Sequence, residues 1–140
     1  MKYNALPSSF YCNTRQAFTN KLNANSLAIF NSNDIYPIGA DSNLPFEQHR
    51  DIFYLSGIDQ EESILILFPD ALEEKHREIL FIRKTDQHIA IWEGAKLSKI
   101  QAEKISGIQT IYWLEDFNKI FKKLSTQCET FYFNTNEHYR

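Results

Sequence analysis

The 140-residue chain is long enough for one domain with a single core, and its 43% hydrophobic and 24% charged residues are typical of a globular domain. A net charge of −3 argues against a nucleic-acid surface, which needs clustered positive charge, and weakly against an anionic membrane surface. No apolar run approaches the roughly 20 residues of a membrane span, and the N-terminal segment MKYNALPSSFY lacks the apolar core of a signal peptide. We therefore expect a cytoplasmic protein that binds neither nucleic acid nor membrane.

The first third of the chain predicts a helix, a strand and a long loop. Positions 10, 14, 18 and 22 form one stripe of a helical period, which predicts a helix over residues 9–22 with Ser8 or Ser9 as its N-cap. The apolar run Ser26–Asn31 predicts a buried strand. Residues 32–48 are rich in Gly, Pro, Asn and Asp and predict a loop, and loops of this length in compact domains are often functional.

The middle of the chain predicts strands separated by turns. Residues 51–56 predict a strand, Gly57 begins a turn, and the apolar run 63–68 predicts a strand that is buried on both faces. The polar residues 71–77 form either a short helical turn or a loop before a strand at 78–83. Residues 88–93 predict an extended segment that ends at Gly94.

The last third predicts helices that alternate with strands. Ser98 and Gln101 form a capping-box pattern, and Gly107 ends the predicted helix 98–106. A strand is predicted at 108–113, an amphipathic helix at 115–124 and a final strand at 129–134. This alternation predicts an α/β domain whose mixed or parallel sheet lies between helices.

No self-contained catalytic group is visible in the sequence. None of the four histidines has a metal-ligand spacing such as HExxH, and no serine lies in a G-x-S-x-G elbow. Cys12 and Cys128 are far apart and fit reduced thiols better than a disulfide. The adjacent acids at 61–62 and 73–74 are interpreted as solvated residues rather than as acid/base pairs. We assign no catalytic residue and no metal ligand within the chain.

Three polar or aromatic features stand out. Asp41 lies in the long loop, where its simplest interpretation is an Asx-turn residue. Trp92, next to Glu93-Gly94, is either a core anchor or a half-exposed ring that forms a pocket wall. The polar residues 48–51 are most simply a cap and turn cluster that holds the loop by hydrogen bonds.

An ordered set of patterns resembles the N-terminal domain of Xaa-Pro aminopeptidases (aminopeptidase P). The stretch FEQHRDIFYLSG, residues 46–57, resembles the family pattern Pro-aromatic-Arg-Gln-x-Ser-Asp-aromatic-x-Tyr-Leu-Thr-Gly. Arg15, Phe18 and Leu22 resemble the first helix of the family, and residues 27–30 its first strand. Residues 59–62 resemble the segment after the family's glycine, and residues 91–97 resemble its Trp-x-Gly-x-Arg-Leu patch.

This resemblance implies that residues 1–140 are a single non-catalytic domain of the creatinase/prolidase N-terminal type. Such a domain has a mixed, about six-stranded, ribonuclease H-like sheet flanked by helices on both faces, which agrees with the six predicted strands. The resemblance also implies a parent enzyme whose C-terminal pita-bread domain holds two divalent metals, usually manganese. That enzyme hydrolyses the bond between an N-terminal residue and proline. The implied partners are this catalytic domain, other copies in a dimer or tetramer, and a peptide with proline at its second position.

Individual residues take roles from the same resemblance. Trp92 matches the tryptophan that lines the substrate pocket, and Asp41 resembles an acidic residue that reaches a neighbouring subunit's active-site entrance. Structural or interface roles are implied for the other matching positions: Gln48, Arg50, Asp51, Tyr54, Gly57 and Gly94.

The chain departs from the family pattern at three charged positions. Glu47 stands where the family usually has Arg, Arg50 where it usually has Ser or Asn, and Lys96 where it usually has Arg. The charge reversal at Glu47 either relocates an ion pair to Arg50 or removes it.

Two alternatives stay open at this stage. In the first alternative, the chain is the N-terminal domain of a prolidase or creatinase-like hydrolase. In the second, it is a stand-alone α/β interaction module without enzyme activity. A complete small enzyme is disfavoured because no catalytic group is visible.

Overall fold

The computed structural model describes residues 3–86, 88, 90–91 and 94–135. The helices are α1 (Ser8–Thr19), α2 (Arg50–Ser56), α3 (Lys99–Ser106) and α4 (Phe117–Ser125). The strands are β1 (Ser26–Asn31), β2 (Ile64–Leu67), β3 (Glu78–Ile82), β4 (Thr110–Trp113) and β5 (Thr130–Phe133). Short 3₁₀ turns lie at Glu74–His76 and Leu114–Asp116.

The strands of the described part form one mixed sheet in the order β4-β3-β2-β1-β5. β2 pairs antiparallel with both β1 and β3, whereas β1 pairs parallel with β5 and β3 parallel with β4. The predicted α/β class and mixed sheet are confirmed. Among the described residues the sheet has five strands, against about six predicted, because residues 51–56 do not form a strand.

Residues 51–56 belong to helix α2, and the predicted strand is wrong. In a strand Ile52 and Tyr54 would share a face, yet Ile52 is fully buried and Tyr54 is 58% exposed. The buried positions Ile52, Leu55 and Ser56 follow i, i+3, i+4 helical spacing instead. Arg50, Asp51 and Tyr54 therefore lie on a helix.

The ends of α2 are set by two local features. The His49 Nδ1 accepts a hydrogen bond from the Asp51 backbone N–H at 3.2 Å, which caps the first turn. Gly57 ends the helix at φ +72°, a left-handed conformation that favours glycine. A Cβ at position 57 would lie 2.5 Å from the Tyr11 ring, so only glycine fits between α2 and α1.

Helices cover both faces of the sheet. Side chains of α1, α2 and α3 pack on one face, and those of α4 pack on the other. Successive residues of β2 and the following Phe68 alternate between the two cores: Leu65 and Leu67 face the first, Ile66 and Phe68 the second. The prediction that this strand is buried on both faces is confirmed. Each fully buried side chain of this size contributes about 1.5–3 kcal/mol relative to exposure.

Other local predictions have mixed outcomes. The capping box of α3 is confirmed, since Ser98 Oγ accepts from the Gln101 N–H and Gln101 Oε1 accepts from the Ser98 N–H. The predicted extended segment 88–93 is wrong where the structure describes it, because His88, Ala90 and Ile91 are helical. Helix α1 ends at Thr19, three residues earlier than predicted.

Arg15 of α1 is fully buried where three helices meet. Its Nη1 donates to the Leu55 and Ser106 carbonyls, each at 2.9 Å, and its Nε donates to Glu78 Oε2 at 2.7 Å. Leu55 and Ser106 lie at the C-terminal ends of α2 and α3, where unpaired carbonyls carry partial negative charge. One guanidinium thus ties α1 to the ends of two other helices and to β3.

Buried His76 makes the stability of the fold depend on pH. Its side chain is 4% exposed, and burial lowers the His76 pKa even though the Glu73 carboxylate, 3.9 Å from Nδ1, acts in the opposite direction. The unfolded chain then binds a proton more readily than the folded chain, so stability is lost as pH falls below about 6.5. For one proton the slope is at most about 1.4 kcal/mol per pH unit. We expect His76→Gln to flatten this slope in urea denaturation, whereas replacing exposed His88 should leave it unchanged.

A second pH window comes from Glu73. Hydrogen bonds from Lys123 at 2.8 Å and Lys75 at 3.2 Å lower the Glu73 pKa to about 2. The stabilisation from this carboxylate is present above its ordinary pKa of 4.5 and is lost as pH falls toward 2. The Glu73 window lies below its ordinary pKa of 4.5, so a slope between about pH 5 and 6.5 that persists in His76→Gln would contradict the assignment to His76.

Candidate functional site

The candidate site consists of three segments that meet at one edge of the domain. These are the loop 32–49, the turn 58–63 between α2 and β2, and the segment 94–97 before α3. Hydrogen bonds from Gln48 connect the loop to the 58–63 turn. Polar contacts with residues 96–97 connect the same turn to the third segment. The 58–63 turn is therefore the common support of the other two segments.

The Gln48 side chain both accepts hydrogen bonds from the loop and donates hydrogen bonds to the turn. Its Oε1 accepts from the backbone N–H groups of Asn33 and His49 at 3.3 and 2.8 Å, which closes the base of the loop. Its Nε2 lies within hydrogen-bond distance of three acceptors of the turn, at 2.9–3.3 Å: the Ile58 and Gln60 carbonyls and the Ser63 hydroxyl. The predicted turn cluster thus includes Gln48.

The tip of the loop folds back as a short hairpin. The Leu44 N–H donates to the Tyr36 carbonyl and the Ile38 N–H donates to the Ser42 carbonyl, both at 2.9 Å. Asp41 lies in the exposed turn at this tip. Large apolar side chains near the tip are 38–62% exposed: Ile35, Tyr36, Ile38 and Leu44. Clustered exposed apolar residues indicate a surface that binds another molecule.

The segment 94–97 is anchored on the turn by two polar contacts. The Leu97 N–H donates to Gln60 Oε1 at 2.8 Å. The Lys96 ammonium pairs with the Glu61 carboxylate, and both side chains are about nine-tenths buried. Burial lowers the Lys96 pKa, as expected for an ammonium removed from water. Gly94 has φ +83°, which only glycine adopts without strain.

The pairing of Glu61 with Lys96 was missed by the sequence analysis. The adjacent acids 61–62 were interpreted as solvated, but Glu61 is only 8% exposed and is paired. Glu62 is exposed and pairs with Arg83 at 3.0 Å. The departure of Lys96 from the family pattern was the signal that singled out this position, but its partner lies 35 residues away in sequence.

A shallow groove of about 190 Å³ lies beside the base of the loop. Glu47 and Arg50, which both depart from the family pattern, line it together with Tyr3 and Asp59. The Tyr3 hydroxyl donates to Asp59 Oδ2 at 3.1 Å, and partial burial followed by the charge of Asp59 raises the Tyr3 pKa to about 12. Tyr3 therefore remains a neutral hydrogen-bond donor at physiological pH.

The remaining predicted site residues lie in different places. Gly57 ends α2, and Arg50, Asp51 and Tyr54 are on that helix. Trp92 lies outside the described residues, so its role stays a prediction. The structure brings Gln48 and the segment that begins at Gly94 together through the turn.

Two further findings concern metals and membranes. Within residues 3–86, 88, 90–91 and 94–135, no group of three or more His, Cys, Asp or Glu side chains is placed to hold a metal ion. In the same part of the chain, none of the helices combines the length and the apolar character that a membrane crossing requires.

In the part of the chain that the structure describes, a five-stranded mixed sheet with helices packed on both faces defines a mixed α/β domain. Residues 11–132 match the family described as "Aminopeptidase P, N-terminal domain". The chain belongs to that family.

Comparison with individual proteins gives the same result. The chain is 27% identical to human Xaa-Pro aminopeptidase 3 over 74% of its length and 25% identical to the Xaa-Pro aminopeptidase of Escherichia coli over 84%. It covers only 21% and 26% of those two proteins. A solved structure assigned as an aminopeptidase P from Bacillus anthracis superposes with a TM-score of 0.85 at 28% identity, over 96% of this chain and 32% of that one.

Proposed function

We propose that this chain is the non-catalytic N-terminal domain of a metal-dependent Xaa-Pro aminopeptidase, and that it lines the entrance to the substrate site. The family match over residues 11–132 carries the proposal. The chain spans about a fifth to a quarter of the curated relatives' lengths, which leaves room in those proteins for a separate catalytic domain. The chemistry then lies outside residues 1–140.

Solved relatives support the proposal of a metal-dependent enzyme that acts on peptides. The E. coli enzyme has been solved with the inhibitor Pro-Leu, and in a zinc-substituted form with product. We propose two manganese ions in the catalytic domain of the parent, where they would activate the attacking water and polarise the amide carbonyl. The substrate is a peptide with proline at its second position. We expect the parent to be cytoplasmic, which the two free cysteines of the chain support.

The domain's own contribution is a surface beside the peptide. Trp92 would provide an apolar ring against the part of the substrate that follows the cleaved bond. Asp41, at the exposed tip of the loop, would reach the active-site entrance of a neighbouring subunit in a dimer or tetramer. The exposed Tyr36 and Ile38 next to it support contact with another chain, because burial in an interface removes this apolar surface from water.

The test uses the full-length enzyme that carries this domain. It should cleave a tripeptide with proline at the second position, and cleavage of the Xaa-Pro dipeptide alone would favour a prolidase instead.

In the same full-length enzyme, Trp92→Ala should raise KM for long peptides more than for a tripeptide, because more of a long peptide lies beside the ring. Trp92→Phe keeps an apolar ring and should recover most of the loss. An equal loss of folded protein and activity for all substrates would show that Trp92 is a core anchor.

A further inference from the structure

The 58–63 turn has a role of its own in the substrate entrance. We propose that Gln60, Glu61 and Lys96 are positioning residues, which fix the segment that follows Trp92 against the loop that carries Asp41. The inference rests on the proposed function for its effect on peptides, but its structural part concerns this chain alone.

Gln60 contacts the two segments through different atoms. Its backbone carbonyl accepts from Gln48 Nε2 at 2.9 Å, and its side-chain Oε1 accepts from the Leu97 N–H at 2.8 Å. Gln60 is only 5% exposed, so these bonds are sheltered from competing water. A displacement of this one residue would therefore move the base of the loop and the 94–97 segment together.

The Glu61–Lys96 pair adds a contact that fixes position more than it adds stability. Both side chains are about nine-tenths buried, and desolvation offsets much of the attraction of such a pair. Removing one partner leaves a buried charge without compensation, so the segment must move to let water reach that charge. Any other placement of residues 94–97 that separates the pair therefore has a higher free energy.

The backbone of the turn is itself held in an uncommon conformation. Glu62 has φ +52°, a left-handed conformation that is strained for a non-glycine residue. Its carboxylate pairs with Arg83 at the end of β3, at 3.0 Å. The Ser63 hydroxyl donates to the Gln60 carbonyl at 2.7 Å. These contacts keep the turn in one shape, which a positioning element requires.

The first test is amide hydrogen exchange on the 140-residue chain. Lys96→Met and Gln60→Met should each speed exchange of the Leu97 amide at least about tenfold, while exchange of the β2 amides stays unchanged. Lys96→Arg keeps the charge and should restore most of the protection. Lys104→Met removes an exposed lysine from α3 and should have no effect. Leu97 exchange that is the same in Lys96→Met and the wild type would overturn the proposal.

The second test measures kinetics of the full-length enzyme. Lys96→Met should raise KM for a pentapeptide about tenfold, with kcat within about twofold, because the lost contact orients substrate and does not take part in the reaction. The exchanged pair Glu61→Lys with Lys96→Glu should recover part of that loss. If Leu97 exchange rises but KM does not change, the positioning role is wrong. If the wild-type enzyme does not cleave Xaa-Pro bonds, the proposed function fails, and the exchange result still decides whether the pair fixes the segment.

Discussion

Arg15→Met is expected to lower the free energy of unfolding by about 3–5 kcal/mol. Arg15 is fully buried, and its removal leaves the Leu55 and Ser106 carbonyls without their donor at the ends of two helices. A buried carbonyl without a partner costs about 1–3 kcal/mol. The apolar methionine fills part of the space, so the loss comes mainly from these polar groups rather than from a cavity.

Urea denaturation of the chain measures this loss. Arg15→Lys keeps the charge but not the planar fork of donors, so we expect it to recover less than half of the loss. Lys21→Met removes an exposed cation just after α1 and should change stability by less than about 0.5 kcal/mol. A loss below about 1 kcal/mol in Arg15→Met would mean that water replaces the guanidinium at both helix ends, and the central role of Arg15 would be wrong.

Gln48→Met is expected to have the second largest effect, a loss of about 2–3 kcal/mol. The side chain is similar in length, but it removes the acceptor for the Asn33 and His49 N–H groups and the donor for the Ile58 and Gln60 carbonyls. The contact with the Asn33 N–H is exposed and the others are part-buried, so water compensates for some of them. The loop should also detach locally before the core unfolds, because Gln48 links its base to the turn.

Limited proteolysis separates the local effect from the global one. In Gln48→Met, cleavage within residues 32–49 should be faster at denaturant concentrations where the sheet is still folded. Gln16→Met on the exposed face of α1 is the matched control and should leave both cleavage and stability unchanged. Unchanged loop cleavage together with unchanged stability would show that Gln48 does not join the loop to the turn.

The sequence predicted those elements whose signals are local. The run Ser26–Asn31 between turn residues matches β1, and the capping pattern at Ser98 matches the start of α3. The mixed sheet and its helical cover also agree with the resemblance to aminopeptidase P. Such features depend on neighbouring residues or on family pattern, and neither needs knowledge of tertiary contacts.

The features that the sequence missed depend on contacts between distant residues. A short apolar run such as residues 51–56 fits either a strand or a helix, and burial of Ile52 and Leu55 against the sheet decides between them. The burial of Arg15 depends on Ser106, 91 residues away, and the Glu61–Lys96 pair spans 35 residues. No local pattern marks a charged residue as buried when its partner lies this far along the chain.

We propose that this domain shapes the substrate entrance while another domain performs the hydrolysis. The most direct measurement compares cleavage of a Xaa-Pro tripeptide by residues 1–140 and by the full-length enzyme, in the same buffer with manganese. We expect cleavage by the full-length enzyme alone, and no stoichiometric manganese binding by residues 1–140 in calorimetry. Peptide cleavage by the 140-residue chain itself, or a full-length enzyme that leaves Xaa-Pro bonds intact, would contradict the claim.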